Sequence, residues 1–131
     1  MKHLLILLIS ILLLSSPVIG NSHKGETLYR WGEVGDYKWM GFGDKETQPK
    51  YQGQVKDGKP NGLGVIIYLT GWKYVGEWKN GKENGKRTIT FFHNGSKYEG
   101  EYKNGEIWNG TYYDSDGDII GKFVNGKRIK Q

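Results

Sequence analysis

The chain repeats itself. A nine-residue pattern opens at Tyr51 (Tyr-Gln-Gly-Gln-Val-Lys-Asp-Gly-Lys), returns at Tyr74 (Tyr-Val-Gly-Glu-Trp-Lys-Asn-Gly-Lys) and again at Tyr98 (Tyr-Glu-Gly-Glu-Tyr-Lys-Asn-Gly-Glu). A weaker copy starts at Ile119 (Ile-Ile-Gly-Lys-Phe-Val-Asn-Gly-Lys). The starts at 51, 74, 98 and 119 lie 23, 24 and 21 residues apart. A near-fixed period in this range is the signature of stacked supersecondary units that bury a core only between neighbours. Such an array presents a surface, and no residue in it need be a catalyst.

The second copy defines the unit. In Tyr74-Val75-Gly76-Glu77-Trp78-Lys79, a period of two puts Tyr74, Gly76 and Trp78 on one strand face and Val75, Glu77 and Lys79 on the other. Asn80-Gly81 follows, a hairpin-turn dipeptide because both central positions of the tight turn need positive φ. Asn84-Gly85 reads as further turn punctuation, Arg87–Phe92 as a second strand rich in β-branched and aromatic residues, and Asn94-Gly95 as the closing turn. The same marks recur as Asp57-Gly58 and Asn61-Gly62, Asn104-Gly105 and Asn109-Gly110, and Asn125-Gly126. Each unit is therefore expected to be one β-hairpin. Gly53, Gly76, Gly100 and Gly121 fall mid-strand, where glycine ordinarily weakens pairing, so bulky rings are expected to pack over the missing side chains.

Residues 1–20 are a different polymer. Lys2 and His3 precede an apolar stretch from Leu4 to Leu14, broken only by Ser10, and small residues stand at Val18 and Gly20, −3 and −1 of a cut after Gly20. This is the pattern of a secretory signal peptide cut between Gly20 and Asn21, and the run is shorter than the ~20 residues that span a bilayer. The expectation is an exported protein of the periplasm, cell envelope or medium. Beyond residue 20 the balance is 18 basic against 14 acidic residues, a net +4 scattered along the chain, with no cysteine to staple the fold. That excess suits solubility or attraction to an anionic lipid or polysaccharide, and no nucleic-acid partner is expected. Residues 21–50, with Trp31-Gly32 and Trp39-Met40-Gly41-Phe42-Gly43, look like degenerate strands capping one end of the array, and Lys45–Lys50 like a loop. Residues 128–131 look like a short charged tail.

The Tyr-x-Gly-x-aromatic pattern with its paired Asn-Gly marks resembles the MORN (membrane occupation and recognition nexus) repeat, over about residues 51–127, with copies at 51–73, 74–97, 98–118 and 119–127. The residues that carry it are Tyr51, Gly53, Gly58, Gly62 and Gly64; Tyr74, Gly76, Trp78, Gly81 and Gly85; Tyr98, Gly100, Tyr102, Gly105 and Gly110; and Gly121, Phe123 and Gly126. Arg87 departs from the second glycine pair, and Trp108 looks inserted in the third copy. The stretch from Trp108 also resembles a bacterial repeat family described as antitoxin components. The MORN resemblance implies an all-β fold, an elongated single-layer antiparallel sheet of stacked hairpins, serving protein–protein contact, self-association or membrane-surface association, non-catalytic in itself.

No constellation of residues suggests other chemistry. Asp114-Ser115-Asp116-Gly117-Asp118 opens like a calcium loop but carries Ile119 and Asn125 where such a loop needs glycine and glutamate, so it reads as a solvated turn. His23 and His93 are dispersed and lack cysteine partners, which makes no zinc site. No cofactor, metal or catalytic residue is expected. Tyr51, Tyr74 and Tyr98, with Val55, Trp78, Tyr102 and Phe123, are expected to form two parallel ladders on one face. The ladders either hold a one-layer sheet together or stack on sugar rings of an envelope polysaccharide. The reading is a non-catalytic exported binding or scaffolding module, the alternative a carbohydrate-binding one. N-terminal sequencing of the native protein should return Asn21 as its first residue; an intact Met1 on membrane-bound protein would make the leader an anchor.

Overall fold

The glycine and aromatic pattern produces one open sheet. The computed structural model describes residues 25–129, so the apolar leader and the expected cut between Gly20 and Asn21 lie outside it. The strands are β1 (Glu26–Trp31), β2 (Lys38–Met40), β3 (Lys50–Lys56), β4 (Lys59–Ile67), β5 (Lys73–Lys79), β6 (Lys82–Glu83), β7 (Gly85–Phe91), β8 (Lys97–Lys103), β9 (Glu106–Tyr113), β10 (Ile119–Val124) and β11 (Lys127–Ile129). They pair antiparallel in the order β2-β1-β3-β4-β5-β7-β8-β9-β10-β11, with β6 beside β5, and there is no helix among the described residues. β1 pairs antiparallel with β3 on one side and with β2 on the other. Lys50 belongs to β3 rather than to a loop. Arg128 and Ile129 are not a free tail: they complete β11, because the Asn125-Gly126 turn folds them back onto β10.

Four turns lie along one edge of this sheet. Asp57, Asn80, Asn104 and Asn125 hold φ of 53°, 50°, 49° and 49°, and the glycine after each is also positive, at 76–86°. These are the mirror-image turns whose twist matches the flanking strands. The second Asn-Gly pairs are not turns. Asn61-Gly62 lies inside β4 and Asn109-Gly110 inside β9, while Asn84-Gly85 sits where β6 gives way to β7. Register shifts fall between Gly53 and Val55 and between Gly100 and Tyr102, so these pairs mark bulges. In the third copy Trp108 and Asn109 are the residues left between the pairs Tyr102–Ile107 and Gly100–Gly110.

The asparagine of each bulge has a task the sequence did not disclose. Asn61 Oδ1 accepts from the Asn80 amide (3.3 Å), Asn84 Oδ1 from the Asn104 amide (3.0 Å) and Asn109 Oδ1 from the Asn125 amide (2.9 Å). Beside each, the turn glycine donates its amide to the residue before that asparagine: Gly81 to Pro60, Gly105 to Glu83 and Gly126 to Trp108, at 2.8–2.9 Å. Every turn after the first is thus hung on the preceding copy by two bonds.

One continuous aromatic zigzag forms the core instead of two parallel ladders. It runs Tyr51–Trp78–Tyr74–Tyr102–Tyr98–Phe123, each step edge to face with centroids 4.9–5.7 Å apart, and Trp39 of the cap joins it at Tyr51 and Trp78. Burial of each repeat tyrosine requires a partner for its hydroxyl. That partner is the carbonyl three residues on: Tyr51 donates to Gln54, Tyr74 to Glu77 and Tyr98 to Glu101. Reaching it lays the ring along its own strand, over the glycines, and against the aromatic four residues into the next tyrosine copy. The glycines make room. A Cβ on Gly64 would stand 2.2 Å from the Tyr51 hydroxyl, and one on Gly110 2.5 Å from that of Tyr98. On the opposite face Val75 is equally buried, with Val65 and Ile89 as its register neighbours.

The consequence is measurable. Gly64→Ala, a clash in a well-packed site, should cost about 1–3 kcal/mol, whereas Gly41→Ala, with nothing near its Cβ, should change stability by no more than about 0.5 kcal/mol. Trp78→Ala should cost about 3–5 kcal/mol. Urea unfolding of the three variants checks the order.

Candidate functional site

The sheet coils enough that its first and tenth strands line one groove. This concave cleft, about 880 Å³, is bordered by Arg30 and Trp31 of β1, Tyr68–Trp72 of the β4–β5 loop, Glu83 of β6, and Ile107 and Phe123 from the far copies. That volume is in the range of small-molecule sites, roughly 300–1,000 Å³. The loop places Tyr68 and Trp72 because it closes on itself, with the Tyr68 amide donating to the Trp72 carbonyl and Gly71 to Tyr68. Trp72 is fixed by its indole N–H to His93 Nδ1 (3.1 Å) and by Phe92 edge-on at 4.7 Å.

Glu83 is the anomaly of this groove. It follows the turn Asn80-Gly81 by two residues and pairs with Trp78; the equivalent positions pair Val55 with Pro60 and Tyr102 with Ile107. A carboxylate therefore occupies a site where the first and third copies carry an apolar residue. It is 8 % exposed. Its one side-chain partner is the Tyr68 hydroxyl, which donates to Oε2 at 2.9 Å. Burial pushes the Glu83 carboxyl above its ordinary range; its own backbone amide, the Tyr68 hydroxyl and the charge of Arg30 pull the other way without cancelling it. Arg30 stacks on Tyr37 at 4.0 Å and stands 5.3 Å from the centre of the Tyr68 ring, and its buried Nε has no partner. Next to them Thr90 and Tyr102 share a hydrogen bond of 2.7 Å, and burial raises the Tyr102 phenol to about 12 against the opposing effect of that bond.

A second feature is the turn edge. Lys56, Lys59, Lys79, Lys82, Lys103, Lys127 and Arg128 flank the four turns, all exposed, against Asp57 and Glu106. With the buried Glu83, which holds the place in its copy that Arg128 holds in the last, seven cations and three anions leave +4 on this edge, as much as the whole excess of residues 21–131 (18 − 14 = +4). The scatter seen along the chain is an alignment in space. With two strands per copy at ~4.8 Å each, the turns repeat about every 10 Å.

The repeat residues named from the sequence take structural places. Tyr51, Tyr74 and Tyr98 are wholly buried, and Trp78 and Tyr102 nearly so, so the ladder offers no platform to a sugar; only Tyr102 and Phe123 of it reach the groove. Gly53, Gly64, Gly100 and Gly110 form the floor under the Tyr51 and Tyr98 rings, while Gly76 faces Thr88, next to the Arg87 that broke the pattern; the Thr88 hydroxyl donates to the Gly100 carbonyl at 2.7 Å. Gly62 and Gly85 sit at bulges, Gly58, Gly81, Gly105 and Gly126 in turns, and Gly121 on β10. Asp114 accepts from the amides of Asp116 and Asp118, which makes 114–118 a closed turn, and no group of potential metal ligands occurs among the described residues. Arg30, Tyr68 and Glu83 escaped sequence reading. The one available signal was Glu83 itself, a charge set against Pro60 and Ile107 once the turns are aligned.

Three stretches of the chain, residues 51–73, 74–86 and 98–119, match the family model of the MORN repeat. The fourth copy, 119–127, lies almost wholly outside them. No curated protein matches the chain.

The Glu83 carboxyl makes stability depend on pH. Its folded-state pKa is raised, so the native state holds the proton more tightly than the unfolded chain, whose glutamate titrates near ~4.3. The stabilisation is complete below that ordinary value and is lost as pH rises through the folded one. Glu83→Gln keeps a neutral acceptor for Tyr68 at every pH. Its urea midpoint should match the wild type at pH 4 and exceed it at pH 7; parallel curves would contradict the assignment.

Proposed function

We propose that this MORN repeat-containing chain is a non-catalytic binding module of the cell envelope, exported by its apolar leader, which docks through the turn edge on an anionic membrane surface. The observation that carries the reading is the alignment of seven exposed cations on one edge, held in line by the Asn–turn bonds between copies. MORN repeats generally serve as binding and scaffolding units, and the leader supports export. A rigid row of charges about every 10 Å pays less conformational entropy on docking than the same charges on a mobile segment. Individual lysine contacts at a surface are weak, but a row of them acts together and is screened by salt over about 8 Å at physiological ionic strength.

Co-sedimentation with vesicles tests this. The full chain should bind vesicles containing anionic lipid and not neutral ones, and the bound fraction should fall as salt rises. Lys79→Glu, Lys82→Glu and Lys103→Glu combined should reduce binding at least about tenfold, with the thermal midpoint unchanged because all three side chains are exposed. Binding only to an acidic envelope protein, with the same salt dependence, would replace the membrane as partner while leaving the edge as the contact.

A further inference from the structure

We propose that the concave groove is a second binding site, separate from the turn edge, and that it takes a neutral sugar chain. The inference starts from a polar group that the fold buries without a partner and from a buried carboxyl that shares its groove. Glu83, 8 % exposed, is an acceptor with a single side-chain donor, and the Arg30 Nε is a buried donor with no partner. Buried polar atoms are ordinarily satisfied, so an orphaned donor beside a buried carboxyl on a common groove points to what the groove holds. Both line the same cleft with Tyr68 between them, its hydroxyl on Glu83 and its ring beside the guanidinium. They do not pair directly: the one ion pair within 4.0 Å among the described residues is Lys97–Glu99.

This arrangement selects by charge and by hydrogen bonding. A cationic ligand attracted to Glu83 is repelled by Arg30, and an anion drawn to Arg30 meets Glu83. The two fields oppose each other across the groove, so net charge gains a ligand little. A ligand with hydroxyls satisfies both, since a hydroxyl donates to the carboxylate and accepts from the guanidinium. Neighbouring hydroxyls on one rigid ring do so without the entropy of ordering a flexible chain.

The walls fit the other half of a sugar. Tyr37 and Trp72 are 39 % and 38 % exposed at the groove rim, and aromatic rings present apolar area to the C–H faces of a pyranose while polar groups fix its edges. Trp72 is held in place by His93 and Phe92, as a stacking surface must be. The cleft's 880 Å³ exceeds what one ring needs, which points to a chain of several. The buried zigzag therefore does not do the sugar-binding work that the aromatic pattern suggested; a different set of rings, supplied by the cap and one loop, is placed to do it.

The test uses the full chain and a panel of neutral hexasaccharides: β-1,4-linked glucose, β-1,4-linked N-acetylglucosamine and α-1,4-linked glucose. Oligogalacturonate and hexalysine serve as charged comparators, and binding is read by calorimetry and tryptophan fluorescence. At least one neutral hexasaccharide should bind saturably and neither charged probe should. Trp72→Ala and Glu83→Gln should each weaken that binding at least about tenfold, with circular dichroism and thermal midpoint showing a folded protein. The Lys79→Glu, Lys82→Glu, Lys103→Glu variant should bind the sugar like the wild type, which separates this site from the turn edge whether or not the edge binds membranes. No binding by any neutral sugar, preference for a charged probe, or wild-type affinity in both groove variants would overturn the proposal.

Discussion

The tyrosine hydroxyl bonded to the carbonyl three residues on is the interaction on which the rest depends. A single-layer sheet has no second layer to cover its apolar face, so its rings must cover one another. Tyr51, Tyr74 and Tyr98 do this only because each lies flat along its strand, and each lies flat because its hydroxyl must find a partner when buried. The glycine pairs Gly53–Gly64 and Gly100–Gly110 are the matching cavity: a side chain there would occupy the space of the ring. Tyrosine and glycine in this pattern are one device in two parts.

The same geometry converts a repeat into a ruler. With the rings fixing how successive copies stack, the bulge asparagines Asn61, Asn84 and Asn109 meet the amides of the next turn. The turns are then held at a spacing set by strand separation rather than by the flexibility of loops. Lysines that flank turns inherit this order. A mild and scattered excess of charge along the chain becomes a concentrated one along an edge, and the electrostatic character of the protein belongs to the assembly of copies rather than to any one of them.

Repeats also show what departs from them. Glu83 stands at a position held by Pro60 and Ile107 elsewhere, and its burial disfavours the charged form. A fold built only for stability would place an apolar residue there, as its neighbours do. Tyr68 and Arg30 gather around this exception from a loop and a capping strand outside the repeated pattern. The concave groove is thus assembled from what is irregular in the chain, and the rigid zigzag beneath supplies its floor.

The sequence by itself determined the all-β class, the hairpin unit and the four Asx-Gly turns. These are local matters: a period of two and a dipeptide that needs positive φ are both legible within one copy. Only the tertiary structure decided that Asn61-Gly62 and Asn109-Gly110 are bulges, that Arg128 and Ile129 extend the sheet, and that two ladders merge into one zigzag. Each depends on what the adjacent copy offers, and a turn and a bulge use the same dipeptide. The groove lay furthest from view. Arg30, Tyr68 and Glu83 are up to 53 positions apart in the chain, and they meet because the twist and coil of eleven strands accumulate from one pair to the next, a quantity no single copy contains.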